Sequence, residues 1–320
     1  MNTYILECLH QLLAHNVIGD KQYSSRYKGF KGELDFLCFF RQRPTTAQLY
    51  TGGYFLPTQE GQHTLNLPVY FTVNPEPPHD KYATIYQHIA QLNCLNMFYI
   101  QYDNSQHFNT WSMIDVMNIN IPLPVPNFDI YEYLPLKHCF VKSTLSKLLQ
   151  LYKKTTKTRK NSISQSIKHQ YIQLLKDYPI EDLIQLYVNR LVFDGYLGFG
   201  CDKGIPSDID AIICQHEKFS LIEIKEKDKS KKPPQGFGMD IGRIQSLQVI
   251  SRATAWPCYY LVKEINNQQQ RLFVAWHWIN LSQFIAATAN VDTIEGGTGM
   301  RSLQSSNPTK VCPYDYFHRL

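Results

Sequence analysis

Residues 207–227 read SDIDAIICQHEKFSLIEIKEK. Two apolar, β-branched runs flank Gln215, His216, Glu217 and Lys218, a natural four-residue loop, so the runs are expected to pair as an antiparallel hairpin. Side chains alternate between the faces of an extended strand. Leu221, Glu223 and Lys225 therefore share one face of the second run, and Ile222 and Ile224 the other. In the first run Asp208, Asp210 and Ile212 share a face. A strand fit for a core thus carries an acid and a base on one side, and the pairing sets an aspartate beside the glutamate.

Two carboxylates and an amine on neighbouring strand positions shift one another's pKa unless a divalent cation neutralises the acids. Oxygen ligation from carboxylates and a backbone carbonyl suits Mg²⁺ or Mn²⁺; zinc would ask for a Cys/His cluster that the sequence lacks. Such an ion polarises a phosphodiester and lowers the pKa of an attacking water, with Lys225 orienting that water or supporting the anion. The expected chemistry is phosphodiester hydrolysis. Asp210 is preferred as the first acid because apolar residues flank it on both sides; Asp208 is the alternative.

Asp210, the triplet Glu223-Ile224-Lys225 thirteen positions on, and an upstream helix bearing Glu181 resemble the PD-(D/E)XK nuclease superfamily, especially archaeal Holliday-junction resolvases and some restriction endonucleases. The resemblance covers about residues 178–265. It implies an α/β fold with a mixed central sheet flanked by helices, restriction-endonuclease-like. It also implies that Asp210 and Glu223 bind Mg²⁺ or Mn²⁺, that Lys225 assists the nucleophile, and that Glu181 completes the metal site. The competing reading is a non-catalytic nucleic-acid-binding or scaffolding protein in which Glu223 and Lys225 form a structural ion pair.

Beyond the triplet, Lys227, Lys229, Lys231 and Lys232 run into a Pro-Gly loop and form a candidate phosphate clamp. Arg243 and Gln245 on the next helix are further candidates for nucleic-acid contact. Upstream, residues 142–176 are rich in Lys, Ser and Thr. Their flanks have helical spacing, and Lys153, Lys154 and Arg159 are candidate phosphate contacts.

Either side of this junction the order of patterns repeats. A helix near Glu7 leads to GELDFLCFF, as one near Glu181 leads to SDIDAIICQ; LPVYFTVN matches FSLIEIK; a helix and strand follow in each; and HFNTWSMIDV matches LFVAWHWINL. The expectation is two tandem copies: residues 1–140 a degenerate nuclease-like domain, 141–177 a basic helical linker, and 178–320 the nuclease domain. In the first copy Thr72 and Asn74 replace Glu223 and Lys225, while Asp35 and Glu33 take the places of Asp210 and Asp208.

The chain has 320 residues, 43% hydrophobic and 13% aromatic, so it has ample material for a core. Its net charge of +5 is compatible with a polyanionic partner, read as DNA; RNA stays open because no motif reads a 2′-hydroxyl. Eight cysteines without a C-x-x-C pair, and an N-terminus without a signal-peptide pattern, suggest a reduced, cytoplasmic protein with free thiols. No run approaches the length of a membrane span. A single live copy per chain would make a homodimer one route to cutting both strands of a duplex.

Overall fold

The hairpin expected at residues 207–227 forms, with a tighter turn than expected. The computed structural model describes residues 1–17, 19–59, 63–116, 122–151, 163–197, 206–231, 233–295 and 308–320. In it Gln215 pairs directly with Lys218, and the two residues between them, His216 and Glu217, adopt left-handed φ angles of 48° and 59°. Positive φ at both central positions marks a type I′ turn, whose twist matches that of the strands it joins.

The chain forms two compact units, one of Met1–Tyr27 with Gly53–Asp208 and one of Lys28–Gly52 with Ile209–Leu320. These units partition the sequence differently from boundaries at 140 and 178. Each is mixed α/β, a mixed sheet flanked by helices.

The first unit contains α1 (Asn2–Ala14) and the start of α2 (Asp20–Arg41). The C-terminal end of β1 (Gln48–Leu56) follows, then β2 (Val69–Asn74), α3 (Asp80–Ile89), β3 (Asn96–Tyr102), β4 (Ser112–Ile114), β5 (Leu123–Val125), β6 (Phe128–Leu134) and β7 (Cys139–Ser143). Helices α4 (Leu145–Leu151), α5 (Gln165–Leu175) and α6 (Ile180–Arg190) complete it; α6 continues as a π-helix over Leu191–Leu197. The sheet order is β1-β2-β3-β6-β7, while β4 and β5 pair separately. A buried ion pair holds the π-turn, Arg26 donating to both oxygens of Asp194 at 2.7 and 2.6 Å.

The second unit takes the rest of α2 and the start of β1. It continues with β8 (Ser207–Gln215), β9 (Lys218–Lys227), β10 (Gly236–Asp240), α7 (Ile241–Thr254), β11 (Cys258–Ile265) and β12 (Phe273–Asn280). Helix α8 (Leu281–Ala287), β13 (Ile294–Glu295), β14 (Pro308–Pro313) and β15 (His318–Arg319) follow. Its main sheet runs β15-β12-β11-β9-β8-β1, and a small sheet runs β10-β14-β13. Gly52 is required where β1 meets β8, because a Cβ there would stand 2.0 Å from the Ile209 carbonyl oxygen.

The strands of the two units share a pairing pattern. β1 with β2 is antiparallel, β2 with β3 parallel across the connection that holds α3, and β3 with β6 antiparallel. Likewise β8 with β9 is antiparallel, β9 with β11 parallel across the connection that holds α7, and β11 with β12 antiparallel.

Two sequence expectations are corrected. GELDFLCFF is the second half of helix α2, and neither Glu33 nor Asp35 lies on a strand. Tyr23, Tyr27, Phe30 and Leu34 recur at helical spacing and are all buried, and Lys31 reaches Asp35 at 2.6 Å across one turn. The strand that pairs with VYFTVN is instead QLYTGGYFL. HFNTWSMIDV forms a 3₁₀ turn and the short β4; the strand standing to β3 as β12 stands to β11 is β6.

The second half of α2 covers one face of its sheet, where Phe36 packs in a cluster with Ala211, Ile222, Ile224, Leu261 and Trp276. Phe36→Ala should lower unfolding free energy by about 3–5 kcal/mol in denaturant titrations. Gly29→Ala, in an exposed helical position with open space around the added carbon, should raise it by about 0.5–1 kcal/mol.

Candidate active site

Alternation along β9 sorts its side chains as the sequence suggested. Ile222 and Ile224 join the apolar cluster under α2, and Glu223 turns to the opposite face, fully buried. Next to the backbone pair Ala211–Ile222, the Asp210 carboxylate accepts the Ile224 N–H at 2.6 Å, which fixes it beside Glu223. The ammonium of Lys225 lies 2.8 Å from Glu223 Oε1 and 3.5 Å from Asp210 Oδ2. The two carboxylates therefore stand close enough to share one cation.

Helix α7 supplies the fourth charged group. It begins after the N-cap Asp240, and Arg243, in its first turn, donates a hydrogen bond to Glu223 Oε2 and stands 3.9 Å from Asp210 Oδ1. Burial by itself pushes a carboxylate up. Here the Arg243 guanidinium and the Lys225 ammonium outweigh burial and hold Glu223 down to about 2. In the β9–β11 ladder Glu223 pairs with Tyr260, a buried ring whose hydroxyl donates to the Gly238 carbonyl at 2.9 Å. Cys258, at the start of β11, is pushed up to about 12 by burial and is no nucleophile.

Two carboxylates bridged by one ammonium fit the coordination demands of Mg²⁺ or Mn²⁺, which take few protein oxygens and retain waters. Glu223 Oε1 fits as well, being part of a fully buried carboxylate and facing the Lys225 ammonium at 2.8 Å, the place of a cation. Among the described residues, no three His, Cys, Asp or Glu side chains gather as a metal site. Glu181 lies in the first turn of α6, exposed and within the first unit, whereas Asp210 and Glu223 belong to the second. Asp208 is also in the first unit.

The remaining candidates have different surroundings. Lys227 is half-buried, and burial lowers its pKa against the opposing pull of Asp240. Lys229 is engaged, 3.5 Å from Glu264 Oε1 and 3.4 Å above the Tyr314 ring. Lys231 and Gln245 are exposed. Lys153, Lys154, Arg159 and Lys232 lie outside the described residues. Sequence reasoning missed the group around Lys229: buried His277 and Glu264 meet at 2.7 Å, with the Tyr314 hydroxyl 3.1 Å from the same carboxylate oxygen. The three are far apart in sequence, and no local spacing signals them. A cleft of about 510 Å³ lined by the second half of α7, Trp256, Cys258 and the start of α8 contains none of Asp210, Glu223, Lys225 or Arg243.

The corresponding place in the first unit is neutral. Matching Phe71 to Ile222 sets Thr72 for Glu223, Asn74 for Lys225 and Gly53 for Asp210. Asn74 donates to Thr72 at 3.0 Å, Thr72 and Tyr86 join at 2.9 Å, and the Tyr86 hydroxyl donates to the Phe98 carbonyl at 2.6 Å. Tyr82 donates to Asn74 Oδ1 at 2.8 Å. Asp35 instead pairs with Lys31 and Lys263.

The depressed pKa of Glu223 gives stability that is present above the ordinary carboxylate value of 4.5 and is lost as pH falls toward about 2. Glu223→Gln should melt below wild type at neutral pH, with the gap closing across that window in scans taken pH by pH. A gap constant down to the lower limit would remove the charge argument.

Comparison of the chain with family profiles, curated proteins and solved structures finds no match.

Proposed function

We propose that the protein is a divalent-metal-dependent endonuclease that hydrolyses DNA phosphodiester bonds, in defence, repair or mobile-element processing. One observation carries this reading: Asp210 and Glu223, on adjacent strands, share the Lys225 ammonium at 3.5 and 2.8 Å. In the proposal Asp210 and Glu223 hold Mg²⁺ or Mn²⁺. When bound, the metal would neutralise charge on the phosphodiester and acidify a water. Lys225, with 43% of its side chain exposed, orients that water and supports the developing anion. Lys227, Lys229, Lys231 and Gln245 are proposed to meet the DNA backbone.

The tandem copy belongs to the same proposal. Shared strand pairing with a neutral network at Thr72 and Asn74 fits a restriction-endonuclease-like unit that has lost its acids. One live unit per chain then requires a homodimer, or two successive events, to break both strands.

A second reading has its own support. Lys225 and Arg243 already balance the two carboxylates, as a purely structural ion-pair cluster in a nucleic-acid-binding or scaffolding protein would require. Supercoiled-plasmid nicking in Mg²⁺ or Mn²⁺ separates the two. Asp210→Ala, Glu223→Ala and Lys225→Ala should each slow cutting on the order of 100-fold or more, while Thr72→Ala, if folded, should cut like wild type. Wild-type protein that binds DNA but leaves it intact with both metals establishes the second reading.

A further inference from the structure

On the nuclease reading, on which this inference rests, Arg243 belongs to a cluster whose charges balance. Asp210 and Glu223 contribute two negative charges, and Lys225 and Arg243 contribute two positive ones, all joined by contacts within 3.9 Å. Lys227 and Asp240, which act on each other nearby, add one of each sign. The cluster is neutral and largely buried, and a divalent cation entering it would leave an excess of two positive charges in a poorly solvated place.

The two cations hold Glu223 differently. Lys225 stands 2.8 Å from Oε1 with 43% of its side chain exposed, so its ammonium can turn toward solvent and stay hydrated. Arg243 has a side chain only 16% exposed and makes a charge-assisted hydrogen bond to Oε2. It cannot leave unless another oxyanion takes its place as acceptor. A guanidinium fork fits a phosphate as well as a carboxylate.

We infer that Arg243 competes with the metal for Glu223, and that the metal binds well only with a nucleic-acid phosphate that takes the guanidinium over. Metal and DNA are then reciprocally coupled: each raises the affinity for the other by the same factor. The device guards against idle metal loading and makes Arg243 a positioning residue for Glu223 in the free protein and a phosphate contact in the complex.

The test reads metal binding directly and does not depend on cutting. Mn²⁺ is titrated into the full chain and followed by electron paramagnetic resonance, with and without a DNA duplex; cleavage of the duplex would not remove its phosphates. For wild type, the duplex should tighten Mn²⁺ binding about tenfold or more. Arg243→Gln, checked for folding by circular dichroism, should bind Mn²⁺ alone about tenfold or more tighter than wild type and respond little to DNA. Arg243→Lys, which keeps the charge, should stay weak without DNA. Adding Glu223→Gln to Arg243→Gln should abolish the gain, which assigns it to this site. The wild-type comparison needs no variant to fold. Tight Mn²⁺ binding by wild type alone, unchanged by DNA, overturns the inference and leaves the nuclease reading standing. No Mn²⁺ binding by wild type or Arg243→Gln, with or without DNA, overturns both.

Discussion

A carboxylate fully removed from water in the middle of a sheet is costly to keep ionised, and the second unit is arranged around meeting that cost at Glu223. Two cations are brought to it from different elements, one from its own strand two residues on and one from the first turn of a crossing helix. A third constraint fixes its neighbour, since the Asp210 carboxylate caps the Ile224 amide. Removing Glu223 would leave the largely buried Arg243 guanidinium without its closest acceptor, so the groups of the cluster are energetically coupled.

The first unit solves the same architectural problem without charge. At the matching strand positions Thr72 and Asn74 join Tyr82, Tyr86 and the Phe98 carbonyl in a network in which donors meet acceptors. Such a network is satisfied as it stands and has no vacancy for a cation. The charged cluster is neutral only by balance, and a balance can be shifted by an incoming ion. The contrast separates a position kept for packing from one able to respond to a ligand.

Period-2 alternation made the β8–β9 hairpin and its two faces legible, because apolar residues on one face of a buried strand leave the charged ones only the other. The helices α3 and α7 and the strands after them were legible for the same reason of clear periodicity. Residues 33–41 were not. Leu34, Phe36 and Cys38 alternate as well as any strand, and only the longer register reaching back to Tyr23 reveals the helix. β1 was hidden by Gly52-Gly53, where glycine answers to a close backbone approach and not to a turn. Arg243 was visible as a basic residue on a helix, but its hold on Glu223 is a tertiary contact across twenty residues that no local spacing encodes.

The second unit is not continuous in sequence. Its sheet face at Ile222, Ile224 and Trp276 is covered by a helix drawn from Lys28–Gly52, a segment synthesised long before the strands it covers. Closing that unit means bringing together stretches separated by Gly53–Asp208, a high-contact-order step that comes late and slowly in folding. Until it happens, an apolar sheet face stays open, and the chain is most prone to aggregation over that interval.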